Sequence, residues 1–473
     1  MSCIYLEISC LKMAELTLNF PQSGGIKGFK YNFTGSCRES LAVSFQKDDA
    51  SDTWYSIAND EGNKEVTISA STNTTLDERS GTVLTYISTT ACTSKNVIIK
   101  QNNMPNYLTF IAQEDGTFTF TNNVKYSLDD GATWVDLTAN TPTPTITTGN
   151  KIKWKGNITP DGRLNPGVGT FSSTGRFTAE ANPLSLILND NFEGETNIVT
   201  CSPNGHTFDS LFKNCSSLTS INGLELPATT LATQCYQMMF YGCTSLGSIP
   251  SNLLPATTLA VRCYLGMFGY CDGLTSIPSA LLPATTLATQ CYESMFEGCD
   301  GLTSLPSGLL PATTLANSCY GRMFSVCKSL TTILNDFLPA TTLANSCYHA
   351  MFIGCDVLTT VPENLLPATT LANGCYESMF SNCYSLTKSP ILLAPTLANS
   401  CYHNMFNCSS GSTPQQGVLS EVTCLATDIS AENCTNGWLD NVSANGTFKC
   451  PSSTNWSSGA NGIPSGWTRQ DYS

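Results

Sequence analysis

The chain is organised by the stretch Leu226-Pro227-Ala228-Thr229-Thr230-Leu231-Ala232, which recurs with its proline at intervals of 28 residues. Each copy continues as Cys-Tyr-x-x-Met-Phe-x-x-Cys-x-x-Leu, and a degenerate unit ending in Cys215 precedes the first full copy. Eight units therefore run from about residue 206 to residue 408. The strict period predicts a stack of similar units, because one unit cannot bury its apolar side alone. The prolines that mark the copies are Pro227, Pro255, Pro283, Pro311, Pro339, Pro367 and, in an altered seventh copy, Pro395.

Within one unit, the apolar residues have the spacing of an amphipathic helix followed by a short strand. Thr230 is suited to cap the helix and Gly242 to end it. Residues 243–249 then have the length of a strand, and Pro250 closes it. The predicted fold is therefore an α/β leucine-rich-repeat solenoid of about eight coils with a C-terminal cap. The apolar helical positions of the first full unit are 231, 232, 235, 236, 239 and 240.

The motif Met-Phe-x-Gly-Cys-x-x-Leu-Thr-Ser, found for example at residues 295–304, resembles the BspA-like leucine-rich repeats of surface proteins from gut bacteria and their phages. The resemblance covers about 200 residues of this chain. It implies a curved solenoid with a parallel sheet on one face and short helices on the other. Members of this family are mostly adhesive or binding proteins, so the resemblance also implies a binding role.

Residues 27–104 are typical of an all-β domain, with predicted strands at 29–34, 41–46, 65–71, 81–88 and 96–101. This spacing suits a small immunoglobulin-like sandwich. Residues 53–57, 66–70, 78–83 and 97–101 resemble the BACON domain of gut Bacteroidetes proteins and crAss-like phage tail proteins. The resemblance implies association with carbohydrate or mucin. Trp54 is either a platform for a sugar or a core aromatic between the sheets.

The predicted order of domains follows from these stretches. Residues 1–26 form an extension or linker, and 27–104 form the BACON-like sandwich. Residues 105–200 alternate with period two and predict a second small all-β domain that also caps the start of the repeats. The repeats occupy 201–408, and 409–473 form a degenerate last coil with a C-terminal cap.

The composition excludes several classes of protein. The chain has 36 acidic and 22 basic residues, a net charge of -14 and a pI near 4.6. Nucleic-acid binding needs clustered basic residues and is not expected. No stretch approaches the roughly 18–20 apolar residues of a membrane span. The start of the chain has no pattern of a cleaved secretory signal, and either Met1 or Met13 fits as the first residue.

The sequence offers little for catalysis or for a cofactor. It contains no phosphate-binding glycine loop, nucleophile elbow or metal-binding His-Glu-x-x-His helix. Among its three histidines, His349 and His403 share a repeat position but lie two coils apart. Helices in neighbouring coils would stand roughly 8–10 Å apart, too far for these two side chains to share a ligand. We therefore predict no enzymatic activity, no metal and no cofactor.

The cysteines of the repeats form two ladders. Zinc is not expected, because no Cys-x-x-Cys spacing occurs and no histidine recurs beside them. Helix mates would be too far apart for disulfides, although mates on the strand side, about 5 Å apart, leave oxidation open there. We expect small buried residues that fill identical slots, made in a reducing cytoplasm. One ladder is Cys235, Cys263, Cys291, Cys319, Cys347, Cys375 and Cys401; the other is Cys215, Cys243, Cys271, Cys299, Cys327, Cys355 and Cys383, with Cys408 displaced by one residue.

Hydroxyl pairs recur in the predicted strands and form the candidate binding surface. Stacking would align them into rows. These rows either bind a glycan or a protein, or they have no binding role and only reflect the preference of Thr for strands. The pairs are Thr219 and Ser220, Thr275 and Ser276, Thr303 and Ser304, Thr331 and Thr332, and Thr359 and Thr360.

The predicted function is that of a non-enzymatic structural and adhesive protein on a phage virion, as a tail or surface appendage. Its expected partners are glycans or host-surface proteins and other virion proteins. The alternatives are a BspA-like adhesin on the bacterial cell surface and, from a different class, a glycan-active enzyme. The sequence names neither the ligand nor the oligomeric state.

Overall fold

The structure of the protein, a computed structural model, describes residues 106–156, 169–192, 194–201, 205–409, 416–459 and 461–472. Before residue 106 it describes the backbone of eight strands. The chain forms two compact units, Met1–Asn106 and Tyr107–Ser473.

The first unit has two four-stranded sheets, with strand orders β1-β3-β6-β5 and β2-β8-β7-β4. Strand β1 runs parallel to β3 and β2 parallel to β8, while the other neighbours are antiparallel. Trp54, the candidate sugar platform or core aromatic, lies outside the described residues. The strands are β1 (Ile4–Ser9), β2 (Leu16–Phe20), β3 (Gly25–Thr34), β4 (Val43–Lys47), β5 (Tyr55–Asp60), β6 (Glu65–Ala70), β7 (Arg79–Ile87) and β8 (Lys95–Gln101).

The second unit begins with short strands that enclose an aromatic core. Phe110 lies at its centre, with ring centroids of Trp154, Phe171 and Phe177 within 5.5 Å of its own. Along the strands of this region, buried side chains alternate with more exposed ones, as expected for strands with one face on a core. The elements are β9 (Thr109–Ala112), β10 (Phe118–Phe120), β11 (Val124–Ser127), β12 (Val135–Leu137), β13 (Lys151–Lys155), β14 (Phe171–Ser173), β15 (Phe177–Ala181), α1 (Ser185–Leu188) and α2 (Ile198–Cys201).

This β region joins the repeats through a shared sheet. Strand β16 (Leu218–Leu224) belongs to the first repeat unit and pairs in parallel with β15. It completes a six-stranded sheet in the order β12-β11-β13-β9-β15-β16. Phe212 of the first repeat unit contacts Phe171, at 5.8 Å between ring centroids, so the aromatic core continues into the repeats.

The prediction of an α/β leucine-rich-repeat solenoid is wrong, because the described repeats contain no helix. The described residues hold two helices of four residues each, α1 and α2, and both precede residue 206. Each repeat instead forms one coil, whose Cys-Tyr-x-x-Met-Phe-x-x part is a chain of tight turns, at residues 233–242 in the first full coil. We call this part of every coil the turn ribbon.

Backbone hydrogen bonds show why the turn ribbon is not a helix. Every second N–H donates to the next coil, as from Tyr236 to the carbonyl of Cys263 at 2.9 Å. The N–H groups between them donate three residues back, as from Met239 to Tyr236 at 3.3 Å. A helix would direct all of these donors four residues back along one segment. The donors that point to the next coil, half of those in the turn ribbon, are therefore satisfied only when coils stack.

The spacing of apolar residues misled the helix prediction because a period of four and a period of 3.6 coincide over ten residues. In the turn ribbon every fourth residue has a left-handed backbone: Gln234, Met238 and Gly242 have φ values of 56°, 49° and 74°. Such a residue cannot belong to a right-handed helix. The pattern repeats in the next coil at Arg262, Gly266 and Tyr270.

Identical aromatic side chains stack along the coils. Tyr236, Tyr264 and Tyr292 follow one another at 5.8 Å between ring centroids, with rings nearly parallel. A second row of phenylalanines has steps of 5.3–5.8 Å. Neighbouring coils are therefore closer than the 8–10 Å that helices would have required. Both rows are buried, so the interior is a set of identical slots repeated from coil to coil.

The strand prediction for each coil is also wrong for the central coils, which contain only isolated bridges such as Thr332 to Thr360. Regular strands return at the C-terminal end as a parallel sheet in the order β17-β18-β19-β20. Trp438 stacks on Tyr402 of the last full coil and on Trp456 beyond it, and so closes the aromatic row. These strands are β17 (Lys388–Leu392), β18 (Glu421–Cys424), β19 (Gly446–Cys450) and β20 (Trp467–Asp471).

We expect Gly298→Ala to destabilise the protein more than Gly308→Ala. Both glycines have left-handed φ values, 69° and 73°, so alanine costs each roughly 1–2 kcal/mol. A Cβ on Gly298 would also lie 2.6 Å from Cδ1 of Tyr270, whereas a Cβ on Gly308 would meet no atom within 4 Å. Urea unfolding measures the difference. Combining Gly298→Ala with Tyr270→Gly should remove the additional loss, and equal effects of the two single variants would contradict this packing.

Candidate functional site

The predicted hydroxyl pairs lie along one segment of successive coils, which we call the first hydroxyl row. From the second pair onward all of these residues are exposed. The hydroxyl of Thr331 donates to the carbonyl of Thr303, and that of Thr359 donates to the carbonyl of Thr331, each at 3.3 Å. In these two coils the first hydroxyl of the pair therefore helps to hold adjacent coils together. Its oxygen keeps lone pairs that can accept a hydrogen bond from solvent or a ligand.

The second hydroxyl of each pair is less engaged. Among the described residues, no hydrogen bond involves the hydroxyl of Ser276, Ser304, Thr332 or Thr360. These groups present both a donor and acceptors to the surroundings. Neighbouring copies stand about one coil apart, as the backbone bridge between Thr332 and Thr360 requires.

The first coil differs from the others. Thr219 and Ser220 are only half exposed, on β16, which pairs with β15 at the edge of the six-stranded sheet. The Thr219 hydroxyl lies 2.9 Å from Oε1 of Gln113 and 3.0 Å from the carbonyl of Phe177. Thr219 is therefore occupied by the sheet, and the accessible part of the row begins at Thr275.

The structure contains a second hydroxyl row that was not predicted from the sequence. The two threonines of each Pro-Ala-Thr-Thr stretch are exposed, and parallel bridges join Thr258 to Thr286 and Thr314 to Thr342. The repeated Thr-Thr pair is visible in the sequence, where the helix prediction places its second threonine, Thr230 in the first full unit, at the cap. We call these threonines the second hydroxyl row: Thr229, Thr230, Thr257, Thr258, Thr285, Thr286, Thr313, Thr314, Thr341, Thr342, Thr369 and Thr370.

Both cysteine ladders consist of free, buried thiols. In the second ladder each thiol from Cys243 to Cys383 donates to a phenylalanine carbonyl of the preceding coil, as from Cys243 to Phe212 and from Cys271 to Phe240, both at 3.1 Å. The coils are closer together than the helix prediction required, so the predicted large distance between ladder mates does not explain why their thiols are free. Their thiols fill small slots beside the aromatic rows.

Burial keeps these thiols protonated. It raises the pKa of Cys235, Cys291 and Cys347 to about 12, because the thiolate would lose its hydration. The thiolate is the reactive form of cysteine, so these side chains are chemically inert at neutral pH. The ladders are structural and contribute no nucleophile to the surface.

We expect iodoacetamide to leave the ladder cysteines unmodified in the native protein at mildly alkaline pH. In denaturant the same cysteines should react completely, because their thiols are then hydrated and ionise normally. Peptide mass spectrometry resolves the two ladders and provides the measurement. Modification of Cys291 or Cys347 in the native protein at the rate of a free thiol would contradict the burial of these slots.

The histidines are closer than the sequence analysis predicted. Glu377 of the intervening coil lies between them: Nδ1 of His403 is 3.2 Å from its Oε1, and Nδ1 of His349 is 3.9 Å from its Oε2. The two histidines thus share a partner, which the wider helix spacing had excluded. Burial lowers the pKa of His349, and the Glu377 carboxylate opposes this effect.

The described residues contain no group of three or more His, Cys, Asp or Glu side chains that could hold a metal ion. In the same part of the chain, no helix has the length and apolar character needed to cross a membrane. Trp456 and Trp467 are 7% and 8% exposed and belong to the C-terminal core.

Comparison with known proteins found no match among protein-family models, curated proteins or solved structures. The resemblance to BspA-like repeats and to the BACON domain therefore rests on the motifs quoted above.

Proposed function

We propose that the protein is a non-enzymatic structural and adhesive protein that binds glycans or proteins of a host surface or of mucin through its stacked repeats. The observation that carries this proposal is the pair of exposed hydroxyl rows. Each row presents hydroxyl donors and acceptors in most of the coils, on a backbone that is hydrogen-bonded from coil to coil. Such a surface offers a polymeric ligand many equivalent contacts.

Repetition matters because single hydroxyl contacts are weak. A hydrogen bond contributes about 0.5–1.5 kcal/mol net, so one Thr-Ser pair alone holds a ligand poorly. Several coils that engage one chain of sugars act together, and each further contact becomes intramolecular. The fixed coil spacing also avoids the entropic cost of ordering a flexible loop on binding.

We further propose display on a phage virion, as a tail or surface appendage. The free, buried thiols suit a protein that folds in a reducing cytoplasm before it reaches the exterior. The resemblances to BspA-like surface proteins and to the BACON domain of phage tail proteins agree with this location.

Removing the hydroxyls of the first row should weaken binding of the full chain to a mucin-glycan array. The variant changes Ser to Ala and Thr to Val, which keeps the volume of Thr while it removes the hydrogen-bonding group. We expect a loss of tenfold or more in apparent affinity, about the effect of one to two lost hydrogen bonds. The substitutions are Ser276→Ala, Ser304→Ala, Thr332→Val and Thr360→Val.

The second hydroxyl row supplies the matched control. The variant Thr286→Val, Thr314→Val, Thr342→Val and Thr370→Val changes as many exposed hydroxyls in the same coils. It should bind like the unaltered protein if the first row carries the contact. Loss of binding only in this control would assign the ligand to the second row, and unaltered binding by both variants would contradict a role for either row.

Display on a virion predicts that mass spectrometry of purified particles of the phage that encodes this chain will detect its peptides. Washing the particles in high salt should not release them if the protein is an integral part of the appendage. Absence from the particles, together with detection on intact phage-free cells, would contradict the virion location and favour a bacterial surface adhesin.

A further inference from the structure

Two tyrosines interrupt the regularity of the turn ribbon. Sequence differences between coils concentrate at the two residues that precede the second-ladder cysteine. Two neighbouring coils carry an aromatic residue there, Tyr241 in one and Tyr270 in the next. The pairs at this place are Lys213-Asn214, Tyr241-Gly242, Gly269-Tyr270, Glu297-Gly298, Ser325-Val326, Ile353-Gly354 and Ser381-Asn382.

Tyr270 occupies a backbone position that disfavours it. Its φ is 56°, in the left-handed region, where three equivalent residues of other coils are Gly242, Gly298 and Gly354. A bulky aromatic residue is disfavoured in this region. The side chain is also 38% exposed, which is unusual for a large ring within a repeat whose other aromatic rows are buried.

The surrounding coils make room for both rings. A Cβ on Gly269 would lie 2.9 Å from Cδ2 of Tyr241, and a Cβ on Gly298 would lie 2.6 Å from Cδ1 of Tyr270. Each ring therefore lies against a residue of the following coil that has no side chain. The two ring centroids are 5.2 Å apart, and the ring planes meet at 56°. Together they form a small angled aromatic surface.

Charged groups border this surface. The Glu297 carboxylate lies 3.1 Å from a guanidinium nitrogen of Arg322, and the Lys213 ammonium is 5.4 Å from the ring centroid of Tyr241. Burial raises the pKa of Tyr241 and of Tyr270, and the nearby Glu297 carboxylate raises both further. We call Tyr241, Tyr270, Glu297 and Arg322 the tyrosine patch.

We propose that the tyrosine patch is a binding site for a pyranose ring of a glycan, with the sugar's C–H face on the tyrosine rings and its hydroxyls on Glu297 and Arg322. The face of a phenol ring is electron-rich and attracts polarised C–H groups. Carboxylate and guanidinium groups form charge-assisted hydrogen bonds with neighbouring hydroxyls. The patch combines both kinds of contact across four successive coils.

The size of the patch favours a sugar over a protein. A stable protein interface buries about 800 Å² on each partner around a core depleted of charge. The tyrosine patch is two rings wide and has charged groups at its border. This inference rests on the proposed function for the class of ligand, but it assigns that ligand to residues separate from the hydroxyl rows.

The test uses the full chain with Tyr270→Gly and Tyr241→Ser, substitutions that other coils already contain at these positions. Binding to immobilised galactose- and N-acetylglucosamine-terminated oligosaccharides is measured on an array, followed by calorimetry with any sugar that binds. We expect each variant to lose about tenfold in affinity and the double variant to lose detectable binding, as expected for aromatic anchors of a binding site. Tyr270→Phe keeps the ring and should stay within about threefold of the unaltered protein.

Val326→Gly is the matched control, because Val326 has the same left-handed backbone, at φ 52°, without an aromatic ring. It should bind normally. Thermal unfolding shows whether the variants fold, and Tyr270→Gly should be no less stable than the unaltered protein because it relieves strain. Normal sugar binding by the folded double variant would overturn the tyrosine patch and leave the proposed function intact. Failure of the unaltered protein to bind any sugar would overturn glycan binding itself.

Discussion

The hydrogen bond from every second N–H of one coil to a carbonyl of the next is the constraint on which the repeat structure depends. A single coil leaves these donors unpaired, which is costly for buried backbone, so the coils must stack in register. Stacking in turn places each side chain beside its equivalent in the neighbouring coil. The aromatic rows and the cysteine ladders follow from this register, because only side chains that tolerate their own copies as neighbours fit.

The same register creates the surfaces that the proposed functions use. Rings of adjacent coils are 5.3–6.1 Å apart, so exposed groups at equivalent positions interact directly. Thr331 bonds to Thr303 in this way, and Glu377 lies between His349 and His403. The tyrosine patch arises where the repeat varies, since a ring in one coil requires a glycine in the next.

The sequence predicted the repeat units, their buried residues and the exposure of most Thr-Ser pairs, because burial depends on apolar pattern and period. It did not predict the coil itself. Pairs such as Cys235-Tyr236 and Met239-Phe240 recur every four residues, which a helix matches over so short a segment. The signal that distinguishes the two was present in Gly242 and Gly266, which fall on the four-residue period of left-handed positions. The helix prediction also implied too large a distance between coils, so it excluded the contact of both histidines with Glu377.

Far-ultraviolet circular dichroism of the purified full chain tests the central claim most directly. If the turn ribbons donate alternate N–H groups to the next coil, the spectrum will lack the double minimum of helices, since the described residues contain only α1 and α2. A helical signal of the size expected from one helix in each of the eight coils would contradict the account. Such a result would mean that hydrogen bonds within each Cys-Tyr-x-x-Met-Phe-x-x segment, and not those between coils, organise the repeats.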